Sequence, residues 1–205
     1  MKSNATIRAE ARARLGGNIF GETWLYALCL LLGSSIVLSI ASSFFIGIVL
    51  YGPLSFSLAY IFLSLVRGKD KIDFTDVTQG FMNGQFVRTF LLWLIEGVFL
   101  FLWSMLLVVP GIIKAYSYRL AIYIAADRPE LSPTECITES RRMMDGHKWQ
   151  AFCLDVSMFL WMLVGSCACG IGTLWVSPYQ YAANAAFYEA VKGTLEPAAV
   201  EAEAE

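Results

Sequence analysis

The run WLYALCLLLGSSIVLSIASSFFIGIVLYGPLSFSLAYIFLSLV, residues Trp24–Val66, decides the fold class, because its 43 residues include no Lys, Arg, Asp or Glu. A membrane-spanning helix needs about 20 apolar residues, so this run is long enough for two spans. The sequence therefore predicts an all-α, polytopic membrane helical bundle.

Two further apolar runs predict four more spans. Glu96 is the only charged residue between Thr89 and Ile113, and Pro110-Gly111 then interrupts the run. No charge occurs from Val156 to Tyr188. We expect about six transmembrane helices, arranged as three hairpins with short amphipathic cytoplasmic helices, in a single domain over 1–191. An acidic cytoplasmic tail, 192–205, follows. The predicted spans are 20–41, 46–66, 88–109, 111–126, 149–169 and 171–191.

Composition agrees with a membrane protein and argues against other classes. Of the 205 residues, 57% are hydrophobic and only 16% are charged. Soluble domains are about 25% charged, and disordered chains are less hydrophobic. The net charge of −2 argues against a nucleic-acid partner, which would need a basic surface.

The distribution of Lys and Arg predicts the orientation. Thirteen of the 15 basic residues precede span 1, follow span 6, or lie between spans 2 and 3 or 4 and 5. Because basic loops stay in the cytoplasm, both termini are expected there, in a multi-pass protein of the cell membrane. An alternative has five spans, with 111–126 as an interfacial helix, but it would place Arg141, Arg142 and Lys148 outside.

A threefold internal repeat is also predicted. Each hairpin is preceded by a short predicted helix, about Ser3–Leu15, Asp73–Asn83 or Ser132–Asp145, and a glycine follows that helix. The glycines Gly17, Gly84 and Gly146 are 67 and 62 residues apart, close to a constant period. Ser132-Pro133-Thr134-Glu135 reads as a helix-capping box. Arg8, Arg12 and Arg14 in the first segment are expected to contact anionic lipid.

Polar residues within the predicted spans form the hypothetical binding site. Counted at 1.5 Å per residue from the cytoplasmic ends, Glu96, Arg119 and Asp155 fall at about 12, 10 and 9 Å. Since unpaired buried charge is costly, Arg119 is expected to pair with one of these acids. Gln180 and Asn184 add a polar stripe on span 6. The alternative interpretation is hydrogen bonding between close-packed helices, without ligand binding.

Three stretches resemble a known family. They are PGIIKAYSYRLAIY (Pro110–Tyr123), SRRMMDGHKW (Ser140–Trp149) and GIGTLWVSPYQYAANAAFYEA (Gly170–Ala190). Nearly the whole chain resembles a bacterial integral membrane protein family called domain of unknown function 975. The resemblance implies a fold and a bacterial cytoplasmic membrane, and it carries over no catalytic or binding residues.

The expected function is non-catalytic. One His, five Cys and no recognisable catalytic motif predict no enzyme activity, no cofactor and no metal site. We expect a scaffold, regulator or accessory subunit of the bacterial cytoplasmic membrane, with a membrane-protein partner or a second copy of the chain. The alternative is a small-solute transporter or channel that uses Glu96, Arg119 and Asp155.

Overall fold

The computed structural model describes residues 3–15, 21–42, 46–69, 72–82, 84–106, 108–167 and 171–204. The helices are α1 (Asn4–Arg14), α2 (Glu22–Ser42), α3 (Ile46–Val66), α4 (Gln85–Leu106), α5 (Val108–Tyr118), α6 (Ala121–Asp127), α7 (Pro133–Met143), α8 (Lys148–Cys167) and α9 (Ile171–Ala204). A 3-10 turn, Phe74–Thr78, lies between α3 and α4. Within these residues all regular secondary structure is helical, which confirms the all-α class.

Four of the described helices are long and apolar enough to cross a membrane. They are α2, α3, α4 and α8, with apolar windows at Glu22–Ser39, Val49–Val66, Gln85–Met105 and Lys148–Ser166. These windows coincide with four of the six predicted spans. The membrane character expected from composition is therefore matched by helices of the required length.

In the other two predicted spans the helices begin and end at different residues from those expected. The predicted helix over 111–126 is divided into α5 and α6 by a turn at Arg119-Leu120. Pro110-Gly111, expected to end the preceding run, lies instead in the first turn of α5, where proline is tolerated. The predicted span 171–191 and most of the predicted tail form one continuous helix, α9, because the tail is rich in Ala and Glu, which favour helix.

Helix α3 lies at the centre of the bundle. About two thirds of its apolar window (67%) is buried inside the protein, compared with 11% for α4 and 17% for α8. Helices α2, α4, α6 and α9 all pack against α3, and the ring of Phe62 stacks on Tyr181 of α9 at 5.3 Å. Helices α4 and α8 keep large apolar side chains on their outer faces, as a lipid-facing helix would.

The segment after α3 folds back along that helix. The Ser57 hydroxyl donates to the carbonyl oxygen of Pro53 and accepts the N–H of Gly80, both at 3.0 Å. A Cβ atom built on Gly80 would lie 2.1 Å from the Pro53 oxygen, so only glycine fits this contact. The contact holds the 3-10 turn against α3.

The segments that precede the hairpins are only partly as expected. Helix α1 is present, and its Ile7, Ala11 and Leu15 are fully buried. Helix α7 begins with the predicted capping box, in which Ser132 and Glu135 bond reciprocally. The second segment, 73–83, does not form the expected α-helix. Its regular secondary structure is the short 3-10 turn, and further turns follow it. Residue 83 lies outside the described residues.

Helices α8 and α9 make a very close crossing. A Cβ atom built on Gly172 would lie 2.6 Å from the Cα of Gly165. Small residues allow two membrane helices to approach backbone to backbone, so these glycines fix the α8–α9 hairpin near its turn. The predicted turn residue, Gly170, lies outside the described residues.

Candidate functional site: a polar column between α6 and α9

Arg119 lies at the turn between α5 and α6 and connects three parts of the bundle. Its Nη1 and Nη2 atoms donate to the two carboxylate oxygens of Asp155 on α8, at 2.5 and 2.7 Å. Nη2 also donates to the side-chain oxygen of Asn184 on α9, at 2.6 Å. This bidentate geometry is the strong form of an Arg–carboxylate pair. The expected pairing of Arg119 is confirmed for Asp155, while a binding role for these residues stays a prediction.

The turn that presents Arg119 depends on Ser140 of α7. Its hydroxyl donates to the carbonyl oxygen of Ser117 at 2.8 Å and accepts the N–H of Leu120 at 3.2 Å. Ser140 is fully buried. Because α5 and α6 are not continuous, these backbone groups lack their usual helical partners, and buried backbone groups need a partner. No motif around Ser140 indicated this role, because both of its backbone partners lie in a segment about 20 residues earlier in the chain.

The surroundings of the pair are largely closed. The side chains of Arg119 and Asp155 are 16% and 32% exposed. The Tyr116 ring centroid lies 5.9 Å from the guanidinium carbon, and the same ring packs edge-on against Phe152 at 6.2 Å. The pair is neutral overall and its main donors are occupied, so the arrangement is suited to linking helices.

The structure does not bring Glu96 and Gln180 into this group. Among the described residues, neither side chain has a hydrogen bond or ion pair to Arg119, Asp155 or Asn184. Helix α4, which carries Glu96, packs on α3, α5 and α7, whereas Asp155 comes from α8. Depth arithmetic places residues at one level of the membrane but leaves their direction open, so a common depth alone does not make Glu96 a partner of Arg119.

A second polar cluster surrounds Asp127 at the end of α6. Arg67 Nη2 lies 2.5 Å from one carboxylate oxygen, and Lys192 Nζ and the Tyr188 hydroxyl each lie 2.8 Å from the other. Arg67 also donates to Glu189 at 2.7 Å. Burial alone would raise the pKa of Asp127, but the hydrogen bonds from Lys192, Tyr188 and Arg67 outweigh it and lower the pKa from 3.8 to about 2. An ionised carboxylate thus joins α3, α6 and α9.

Sequence reasoning missed the Asp127 cluster because charges beside the ends of spans are usually solvated. One signal was available. Tyr188 and Lys192 are one helical turn apart and so share a face of α9. That face continues the stripe on which Asn184 had been singled out.

Three contacts between α5–α6 and α9 share one register. In these three contacts the two residues are 65 positions apart in the sequence, so the two segments run side by side in the same direction. The Tyr188–Asp127 hydrogen bond joins residues one turn closer in the sequence. The Tyr rings stack with centroids 5.9 Å apart. We call this set of side chains the polar column. Its pairs are Arg119–Asn184, Tyr123–Tyr188 and Asp127–Lys192.

The 65-residue offset of the polar column can be compared with the spacing of the predicted repeat. The offset of 65 residues is close to the glycine spacings of 67 and 62. Gly84 and Gly146, two of the three repeat glycines, both have left-handed backbone, with φ of 72° and 76°. Gly17 lies outside the described residues, and the repeat stays a prediction.

Arg88 is a further residue that the sequence left without a role. Its guanidinium donates to the carbonyl oxygens of Ala125 (3.2 Å), Arg128 (2.9 Å) and Leu131 (2.8 Å). These carbonyls lie at and beyond the end of α6, where helical partners are lacking. A cation at a helix C-terminus is also favoured by the helix dipole. Arg88 therefore caps α6 from the first turn of α4.

A cleft of about 560 Å³ lies beside the Asp127 cluster. Arg119, Asp155 and Asn184 do not line this cleft. Within the same residues, no three His, Cys, Asp or Glu side chains are arranged to hold a metal ion. The cleft is lined by Glu10, Val66, Arg67, Glu189, Ala190, Gly193 and Thr194.

The arginines expected to meet anionic lipid contact other parts of the protein as well. Arg8 donates to the backbone oxygen of Asn4 at 3.3 Å and also to the Ser157 hydroxyl. The Arg12 guanidinium lies 5.6 Å from the ring centroid of Tyr179. Lipid contact by these arginines stays a prediction.

Comparison with known proteins adds one finding. A family model described as "Protein of unknown function (DUF975)" matches residues 1–122 and 105–194, which together extend over most of the chain. No curated protein and no solved structure matches.

Proposed function

The chain belongs to the DUF975 family of proteins of unknown function, and we propose that this member is a non-catalytic scaffold, regulator or accessory subunit of the bacterial cytoplasmic membrane. The proposal rests on the observation that polar side chains of the bundle are bonded to one another. Arg119 is bonded to Asp155 and Asn184, and Arg67 is bonded to Asp127 and Glu189. A substrate site would need polar groups that are open to a ligand.

The outer faces of the bundle support an assembly role. On α4 most of the exposed side chains are apolar, and Phe101 and Met105 expose 68% and 79% of their surface. Such a face suits lipid or the face of a second membrane helix. We propose that the partner is another membrane protein or a second copy of this chain.

Site-specific photo-crosslinking in cells tests this assembly role. A photoreactive residue at Leu102, which is 55% exposed on α4, should give a discrete protein adduct. The matched control is Leu92 on the same helix, which is 1% exposed and should give none. A Leu102 probe that labels only lipid would count against the proposal.

A flux assay tests the alternative of a small-solute transporter or channel that uses Glu96, Arg119 and Asp155. Purified protein in liposomes should show no solute flux that depends on Arg119. A flux that disappears in a folded Arg119→Leu variant would overturn the scaffold proposal in favour of transport.

The proposal includes six spans, with α5 and α6 forming one broken span and both termini in the cytoplasm. The competing five-span arrangement lays α5 and α6 along the interface. Thiol labelling of single-cysteine variants separates the two. A cysteine at Arg141 should be labelled only from the cytoplasmic side, whereas labelling from outside would favour five spans. A cysteine at Lys69 is the control, because both arrangements place it in the cytoplasm.

A further inference from the structure

A pocket of about 240 Å³ lies between α2, α3 and α9. Its walls are one face of α2 over 31–38, one face of α3 over 51–58, and Ser177 and Tyr181 on α9. Successive lining residues on each helix are three or four positions apart, so each helix contributes one regular face. Among the described residues that line the pocket, the side chains are leucine, serine and tyrosine, and none is charged. The pocket therefore suits a neutral ligand.

The serines of the pocket have already used their hydroxyl hydrogens. Ser34 and Ser35 each donate to a carbonyl oxygen three residues earlier in α2, at 2.9 and 2.8 Å. Ser55 and Ser177 donate to carbonyl oxygens of α3 and α9, at 2.8 and 2.9 Å. These four hydroxyls can still accept a hydrogen bond, but they have no hydrogen left to donate to a ligand.

Tyr51 and Tyr181 supply the two hydroxyl donors that remain in the pocket. In the part of the chain that the structure describes, neither phenol hydroxyl forms a hydrogen bond. Both rings are held by packing, because Tyr181 stacks on Phe62 with centroids 5.3 Å apart and Tyr51 lies 5.8 Å from the Trp93 ring. A polar group without a partner is costly in hydrocarbon. A ligand that accepts two hydrogen bonds would remove both costs.

The size of the pocket limits what it can hold. A volume of 240 Å³ equals a sphere about 8 Å across, which is narrower than the 10–12 Å diameter of a helix. A helix of a partner protein therefore does not fit. At about 30 Å³ for each atom of water size, the pocket holds about eight non-hydrogen atoms. A benzoquinone ring has this size, with six carbon atoms and two carbonyl oxygens.

The depth of the pocket separates membrane-dissolved molecules from phospholipids. At 1.5 Å per residue, Tyr51 and Leu58 lie about 8 and 18 Å from the first residue of α3, and Tyr181 lies about 15 Å from that of α9. The hydrocarbon layer is about 30 Å thick, so these positions lie well inside it. A phospholipid keeps its ester carbonyls near the headgroups, at the edge of this layer. A neutral quinone dissolves in the layer and brings its carbonyl groups to the depth of the pocket.

We propose that this pocket binds the ring of a quinone dissolved in the membrane. Its two carbonyl oxygens accept hydrogen bonds from Tyr51 and Tyr181, and the leucines of α2 and α3 contact its apolar surface. The alkyl tail of the quinone extends into the lipid on the side where Tyr51 is 49% exposed. The pocket is separate from the ion pairs of Arg119 and Arg67, so a non-catalytic regulator or scaffold can hold this ligand without a chemical step.

The thermal stability of the purified full-length protein in lipid nanodiscs tests the site. A benzoquinone with a decyl tail should raise the melting temperature in a saturable way, whereas decylbenzene, which lacks carbonyl groups, should not. In the Tyr51→Phe/Tyr181→Phe variant, the apparent affinity for the quinone should fall about thirtyfold, since each net hydrogen bond is worth about fivefold. An unchanged affinity in this variant, or equal stabilisation by decylbenzene, would overturn the proposal.

Matched variants separate loss of the ligand from loss of the fold. The double variant keeps both aromatic rings and their packing, so its melting temperature without ligand should stay close to that of the original protein. Tyr26→Phe on α2 removes a hydroxyl outside the pocket and should leave the affinity within about twofold. Ser34→Leu should fill the pocket and abolish the quinone-dependent shift.

Three further results would contradict the proposal. A loss in Tyr26→Phe as large as that in the double variant would overturn the location of the site. Full binding by a folded Ser34→Leu variant would do the same. Equal stabilisation by monoolein, a neutral lipid whose carbonyl belongs to an ester, would overturn the choice of a quinone.

Discussion

Breaking the Arg119–Asp155 pair should destabilise the protein, and removing both charges together should restore much of the loss. Removing one member of a buried pair leaves the other charge unpaired, which costs about 3–5 kcal/mol. Because Asp155 keeps 32% of its side chain exposed, we expect Arg119→Leu to cost about 3 kcal/mol, at the lower end of that range.

The double variant Arg119→Leu/Asp155→Leu leaves no unpaired charge in the bundle. Replacing a whole buried pair by apolar residues is often nearly neutral, although the Asn184 side-chain oxygen then loses its donor. We expect a net cost of about 1 kcal/mol for that lost hydrogen bond. The two substitutions should therefore couple by about 2 kcal/mol or more.

The assay is reversible unfolding in mixed micelles with increasing SDS, followed by the fluorescence of the six tryptophans. The four corners of the double-mutant cycle are the original protein, the two single variants and the double variant. Arg119→Leu/Glu96→Leu is the matched control and should show additive effects, because Glu96 does not contact Arg119. Additive effects in the Arg119/Asp155 cycle, or rescue by Glu96→Leu, would refute the reasoning.

Three other predictions concern packing, hydrogen bonding and pH. Gly80→Ala should lower the melting temperature sharply, because its Cβ would clash with the Pro53 carbonyl oxygen, whereas Gly97→Ala, which meets nothing within 4 Å, should be neutral or stabilising. Ser140→Ala should cost about 1–3 kcal/mol in SDS unfolding, because it removes a partner from two buried backbone groups, and a cost near zero would contradict this role. The depressed pKa of Asp127, about 2, contributes stability that is complete above pH about 4 and is lost as the pH falls towards 2. Asp127→Asn should therefore be less stable at neutral pH and show a flatter acid limb, and an unchanged acid limb would contradict the assignment.

The sequence was most informative where a single physical requirement was enough to predict a structural feature. The charge-free run Trp24–Val66 predicted two helices because length and hydropathy suffice to place a span. The capping box at Ser132 was predicted because its hydrogen bonds lie within four residues. The pairing of Arg119 with an acid was predicted from the cost of an isolated charge, but the choice between Glu96 and Asp155 was left open.

The rest depended on contacts between distant segments. No glycine or proline marks the turn at Arg119-Leu120, because that turn is stabilised by Ser140 from another helix. Glu96 was grouped with Arg119 by calculated depth alone, and the periodicity of α4 did not tell which helix its inner face would meet. Asp127 looked like an ordinary solvated charge until α3 and α9 packed around it.

The register of the polar column has a consequence for how the chain is made. On the ribosome, Arg119 is synthesised 36 residues before Asp155 and 65 residues before Asn184. During that interval the arginine has neither partner, and entering the bilayer alone would cost about 2.5–3.5 kcal/mol. Helices α5 and α6 therefore gain their full stability only after α8 and α9 have left the ribosome, so the middle of the polypeptide completes its assembly together with the C-terminal helices.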